Sequence, residues 1–190
     1  MIQSHRKLVV GDKVSFECLI CGRCCSSGPN VGLTAFDILR IASYLGVGWR
    51  ELRGKYVVAV IADFTAIPVL KDRGGGVCVF LEILDGKPRC RIYPARPMRC
   101  RLYPFIPYSP GDKGTLYLDE CCPGTKTNRV VEPPWDVLQN FLSEVGIHYS
   151  RVYSLTFGEG LEPLEALERT IEEIACSAWK AVGKLEPAKC

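Results

Sequence analysis

The chain has 190 residues, with 24 Lys or Arg against 21 Asp or Glu for a net charge of +3. Its 47% apolar content suits a folded globular chain rather than a disordered or fibrous one, and so small a positive charge argues against a dedicated nucleic-acid binder. No apolar run is long enough to span a bilayer and the first seven residues lack the apolar core of a signal peptide, so a cytoplasmic location is expected.

Residues 13–18 read as a short strand, with Val14 and Phe16 on it, leading into a turn at Gly22; residues 26–30 read as a loop. Thr34 is placed to cap a helix running to about Tyr44, with Phe36, Leu39, Ile41 and Leu45 on its apolar side, and residues 46–48 break it. A second short helix is expected from Trp49 to about Tyr56. Residues 57–71 are rich in β-branched side chains, with a strand at 67–70, and Gly74, Gly75 and Gly76 form a flexible loop. The segments 78–84 and 87–92 flank Asp85-Gly86 and predict a β-hairpin with Cys78 and Cys90 roughly opposite one another on its arms. A turn at 111–114, a strand at 116–118 and a tight loop at 121–124 follow. The tail predicts two helices: one started at Pro134 with Trp135, Leu138, Phe141, Leu142 and Val145 on one side, and a last one with an apolar stripe from Leu161 to Val182 and an acidic opposite face.

Cysteine sets the chemistry. There are 11, nine of them between Cys18 and Cys122, and the first four read Cys18-x-x-Cys21-x-x-Cys24-Cys25. In a reducing compartment such density points to metal or redox chemistry rather than to a disulfide framework, although a hyperthermophilic source would favour disulfides. Short Cys spacings let one turn of backbone aim several thiolates at a single point, as a soft metal or an iron–sulfur cluster requires. Neighbours Cys24 and Cys25 are expected to point apart, serving different metals or leaving one of them free. Cys176 beside the last apolar stripe is expected in the core, and Cys190 free. His5 in a mobile terminus and His148 after a helix break are expected at the surface, while Trp49, Trp135 and Trp179 read as packing anchors.

The second half of the cysteine region reads Cys90-x-x-Tyr93-Pro94-x-Arg96-Pro97-x-x-Cys100-Arg101-x-Tyr103-Pro104-Phe105, followed by Cys122-Pro123-Gly124. With the four-cysteine opening and Cys78-Val-Phe-Leu, this resembles the CxxCxxCC family, the YkgJ-like zinc- or iron-chelating proteins that include flagellin lysine N-methylases. The likeness runs from about Phe16 to Gly124. It implies metal ligation by Cys18, Cys21, Cys24, Cys25, Cys78, Cys90, Cys100 and Cys122, with Cys121 an extra that leaves open which of the last pair ligates. It also implies, by family analogy alone, S-adenosylmethionine as a possible cofactor; no glycine-rich methyl-donor loop is present.

One compact Cys run drawing on distant partners is closer to a ferredoxin-type [4Fe–4S] arrangement than to the paired knuckles of a structural zinc site, which stays as the alternative. Around such a centre Arg96 and Arg101 would offset thiolate charge, and Tyr93 and Tyr103 would shape the loop and shield the cofactor. The fold class expected is α+β, a small irregular metal-stabilised domain with a β-hairpin and short helices plus a C-terminal helical pair. Its domains would be a cysteine-cluster metal-binding domain over 1–130 and a helical extension packed on it over 131–190. The functions in play are an iron–sulfur oxidoreductase or protein-modifying enzyme, a zinc-stabilised interaction protein, and a non-catalytic electron-transfer or metal-carrier module. No Ser/His/Asp set or paired carboxylates single out a reaction. The partners expected are a protein substrate or redox partner and neither membrane nor nucleic acid, with the chain a monomer or homodimer.

Overall fold

The computed structural model describes residues 5–26, 31–107 and 114–182. The loop at 27–30, most of the turn at 111–114 and the terminal Cys190 lie outside those residues, as does the side chain of Trp179. In chain order the elements are β1 (His5–Val9), β2 (Val14–Ser15), α1 (Arg23–Ser26), α2 (Ala35–Leu45), β3 (Val57–Ala62), β4 (Thr65–Leu70), β5 (Leu81–Leu84) and β6 (Lys87–Cys90). They continue with α3 (Met98–Leu102), β7 (Phe105–Ile106), β8 (Thr115–Asp119), β9 (Val130–Val131), α4 (Trp135–Tyr153) and α5 (Pro163–Val182). The fold is α+β with small antiparallel sheets and a C-terminal helical pair.

By contact the chain gathers into two compact units, Met1–Pro29 with Asp72–Ser143, and Asn30–Lys71 with Glu144–Cys190. Residues 131–143 therefore group with the first unit and 144–190 with the second.

In the first unit β8 lies between β1 and β7. Leu8, Leu116, Leu118 and Phe105 are buried from its strands, and Phe16 meets Phe105 edge-on with ring centroids 5.4 Å apart. His5 is half-buried opposite Asp119 at the start of β1, not in a mobile end, because strand pairing from Arg6 onward ties the segment down. The β5–β6 hairpin turns on Asp85 (φ 51°) and Gly86 (φ 72°), both left-handed, as a two-residue hairpin turn requires. Its first arm is shorter than expected. Leu81, not Cys78, stands opposite Cys90, and Cys78 precedes the strand in a turn closed by Leu81 N–H donating to Cys78 O at 3.0 Å.

In the second unit α2 begins with a capping box: Asp37 N–H donates to Thr34 Oγ1 at 3.2 Å and Thr34 N–H to Asp37 Oδ2 at 3.1 Å. It ends at Gly46, whose φ of 68° closes the last turn. The helix expected over 49–56 is only one 3-10 turn, Trp49–Leu52, and the following residues enter a β3–β4 hairpin whose first strand the sequence reading did not resolve. The turn there uses Asp63 (φ 46°) and Phe64 (φ 58°), so no glycine announces it. Leu167, Ile171 and Ile174 of α5 are buried as expected, together with Ala166 and Thr170, whereas Leu161 precedes the helix and Leu164 is exposed. Cys176 is half-buried and disulfide-bonded, which corrects its reading as a packed core thiol.

His148 is a larger correction. The helix does not break before it: α4 continues through Gly146, and His148 is 0% exposed. The N–H of Ala35, at the start of α2, donates to His148 Nδ1 at 3.3 Å, so the ring is neutral with its proton on Nε2. Burial, only partly countered by Asp37, lowers its pKa to about 4. An unfolded histidine takes up its proton near pH 6.5 and the folded one near 4, so the stabilisation is present above 6.5 and is lost as pH falls between those values. That window is worth roughly 3 kcal/mol at about 1.4 kcal/mol per pH unit. His148→Phe is expected to flatten the pH dependence of stability between pH 7 and 4.5. Denaturant midpoints at the two pH values check this, and an unchanged slope in the variant would reject it.

Candidate metal centre

The four-cysteine opening folds tightly because Gly22 takes a φ of 71° and Cys25 N–H donates to Gly22 O at 2.9 Å. A Cβ at Gly22 would lie 2.6 Å from Pro88 Cβ, so the β5–β6 hairpin rests directly on this turn. Within α1 the sulfurs of Cys24 and Cys25 are 3.8 Å apart. The expectation that they point away from each other is corrected: their side chains turn toward one another. Cys78 N–H donates to Cys25 O at 2.8 Å, which brings the start of the hairpin against α1.

The loop carrying Cys121 and Cys122 is brought in by two contacts. Arg23 Nη1 donates to Cys121 O at 2.9 Å, and Glu17 N–H donates to Gly124 O at 3.0 Å. A Cβ at Gly124 would stand 2.3 Å from Glu17 O, so only glycine permits this approach. Asp119 then orders the turn: its Oδ1 accepts from Cys121 N–H at 2.9 Å and its Oδ2 from Tyr103 Oη at 2.9 Å.

The thiols feel one another. Cys24, Cys25, Cys78 and Cys90 each lie within the electrostatic field of the others, and Cys122 within that of Cys21 and Cys24. The shared proton between Cys24 and Cys25 favours the Cys24 thiolate, whose pKa falls to about 7 with help from Arg96, while Cys25 is pushed far up. Burial first, and neighbouring thiols after it, raise Cys78, Cys90 and Cys122. By exposure the sulfurs differ: Cys18, Cys21, Cys24 and Cys121 are exposed, Cys25, Cys90 and Cys100 half-buried, the last on α3, and Cys78 and Cys122 buried. Among the described residues, no three Cys, His, Asp or Glu side chains converge closely enough to hold one ion. The donor set among the described residues is nonetheless the one that zinc and iron take, cysteine sulfur, with Cys24, Cys25, Cys78 and Cys90 the most closely associated.

Arg96 lays its guanidinium 3.6 Å over the Tyr93 ring and donates from Nε to Tyr93 O at 3.0 Å. Arg101 donates to Arg96 O at 2.9 Å and Pro94 O at 2.8 Å, so both arginines brace the loop between Cys90 and Cys100. Burial and the Asp119 carboxylate raise the pKa of Tyr103. Asp119 escaped the sequence reading, and Gly22 and Gly124 were read there only as turn residues, not as points of close backbone approach. The spacing Asp119-x-Cys121 was the available signal, since an Asp side chain commonly accepts the N–H two residues on.

Residues 17–123 match the model of a family described as "CxxCxxCC: Putative zinc- or iron-chelating domain". The chain belongs to the CxxCxxCC family. An uncharacterized protein of Methanocaldococcus jannaschii is 36% identical over 107 residues, 56% of this chain and 53% of that protein. The chain thus spans about half the length of that relative. No solved structure matches the chain.

Two variants probe the framework without removing a sulfur. Asp119→Ala leaves the Cys121 N–H and the Tyr103 hydroxyl without their acceptor and is expected to cost about 1–3 kcal/mol. Gly124→Ala forces a Cβ into the Glu17 carbonyl and is expected to cost a similar amount, roughly 1–3 kcal/mol. Both should lower bound metal per chain as well as the melting temperature. A wild-type metal content in both variants would count against the Cys122 loop belonging to the centre.

Proposed function

We propose that this chain holds a thiolate-ligated iron centre, a [4Fe–4S]-type cluster, and acts as an iron–sulfur oxidoreductase or protein-modifying enzyme on a protein substrate or with a protein redox partner. The observation that carries the reading is the gathering of Cys24, Cys25, Cys78 and Cys90: the Cys24 and Cys25 sulfurs are 3.8 Å apart, Cys78 N–H donates to Cys25 O at 2.8 Å, and Cys90 lies in the field of Cys78 and Cys24, with Cys122 in that of Cys21 and Cys24. Membership in a zinc- or iron-chelating family supports the metal, and the single compact Cys run supports iron over zinc. Cys24, Cys25, Cys78 and Cys90 would hold the cluster, with Cys18, Cys21, Cys100 and Cys122 completing this centre or a second one. A bound cluster supplies one-electron transfer at a potential set by its charge and hydrogen bonding.

The protein's own residues do the rest. Thiolates bind, and Arg96, stacked on Tyr93, offsets their negative charge beside Cys24. Backbone N–H groups close to the sulfurs of Cys78, Cys90 and Cys122 favour the ionised ligands. Among the described residues no helix is long and apolar enough to cross a membrane. S-adenosylmethionine chemistry rests on the family resemblance alone and is not part of the proposal. A second reading, a structural zinc site of an interaction protein, is favoured by one fact: four associated thiols also make an all-thiolate tetrahedral zinc set.

Anaerobic purification decides between them. The iron reading expects a brown protein absorbing near 400 nm, with iron and acid-labile sulfide in matching amounts, and a large fall of both in Cys24→Ser and Cys78→Ser. Removing the metal should also lower the melting temperature markedly, because ligation supplies folding energy. A colourless protein with stoichiometric zinc would sink the cluster reading, and full metal content in Cys24→Ser would sink the site.

A further inference from the structure

The β3–β4 hairpin of the second unit leaves one edge open. Leu33 N–H donates to Pro68 O at 2.8 Å and Leu70 N–H to Val31 O at 3.0 Å, so Pro68 and Leu70 turn their backbone groups away from β3. By the alternation of an antiparallel ladder, Val69, Ile67 and Thr65 then bond to Val58, Val60 and Ala62, and Val57, Ala59 and Ile61 face outward. The Val57 carbonyl is taken by Gly54 N–H at 2.8 Å. Ala59 and Ile61 have no backbone partner on that side among the described residues.

This edge is apolar and exposed. Val60 is 49% exposed, Ile61 53% and Phe64 78%, and no charge occurs in Val57–Ala62. Its two ends carry opposite charges, Lys55 before the strand and Asp63 after it, and neither has a salt bridge among the described residues. A strand with a basic start and an acidic end is self-complementary when it runs antiparallel to itself.

We propose that β3 is the docking edge for a second copy of this chain, the two β3 strands pairing antiparallel about a two-fold axis at Val60. Ala59 then stands opposite Ile61 of the other copy, and the outward N–H and C=O groups of both residues are satisfied on both chains. A one-residue slip would set outward groups against inward ones. Lys55 lies diagonally across from Asp63 of the other copy, within the reach of a lysine, and Phe64 comes beside the other copy's Tyr56. Such a contact is isologous, as closed dimers require. It joins two second units and does not depend on the metal reading.

The test is sedimentation of the intact, metal-loaded protein across the micromolar to sub-millimolar range. A reversible dimer is expected. Ala59→Pro removes an N–H that points away from β4, so the fold should persist, as circular dichroism would report, while the dimer is lost. Lys55→Glu faces Asp63 with a like charge and should weaken association about tenfold. Adding Asp63→Asn to it, which keeps a residue suited to left-handed φ, should recover part of that loss. A monomer at every concentration would overturn the proposal and leave the edge to a strand from another protein. A dimer indifferent to both Ala59→Pro and Lys55→Glu would overturn it equally.

Discussion

Glu17 and Gly124 meet backbone to backbone, with the Glu17 N–H donating to the Gly124 carbonyl at 3.0 Å, and the cysteine region depends on that meeting. They are more than 100 residues apart, so closing the loop carries an entropic cost that a short sheet with little apolar face offsets only in part. The approach leaves no room for a side chain at residue 124, where a Cβ would stand 2.3 Å from the Glu17 oxygen. It sets the strand that leads to Cys18 beside the turn that holds Cys122. The bond from Cys78 N–H to Cys25 O does the same for the hairpin. Each is a backbone contact one or a few residues from a cysteine, so the chain places its thiols through its main chain rather than through side-chain packing.

That arrangement carries an electrostatic cost. Burial first, with the neighbouring thiols after it, raises the pKa of Cys78, Cys90 and Cys122, and at Cys25 the hydrogen bond with Cys24 leads, followed by burial and the other thiols. Cys24 moves down, held there by the Cys25 thiol and the Arg96 guanidinium. A cation that binds several thiolates removes the repulsion that otherwise opposes the cluster. Membership in a zinc- or iron-chelating family and the crowding of these sulfurs thus point the same way, to a cation that takes up their charge on binding.

The second unit is stabilised by other means. Thr34 and Asp37 close the start of α2, Arg40 bridges Asp37 and Glu144, and a buried neutral His148 accepts the first helical N–H group. Ion pairs from Arg50 and Arg53 to Glu172 and Glu168 cover the acidic side of α5. Its hairpin is the exception, with an apolar edge strand left open where most proteins place charges or a covering element.

Local chemistry was legible in the sequence wherever it depends on neighbours in the chain. The Cys spacings and the Cys90 to Phe105 motif led to the family; Thr34 and Gly46 bounded α2; Asp85-Gly86 marked the hairpin turn; Pro134 preceded α4. Each of these signals acts through one or two turns of backbone. What the tertiary structure decided was which distant groups meet. The pairing of β1 with β8 placed His5, the packing of α2 on α4 buried His148, and the Gly124 approach brought Cys122 toward Cys24. The β3–β4 turn at Asp63 and Phe64 was hidden for a related reason: neither residue prefers a positive φ strongly enough to announce a turn, and the pairing of the two strands imposes it. Spacing along the chain specifies the kind of donor; only the contacts between remote segments specify which donors share a site, because those contacts join backbone groups that no local pattern pairs.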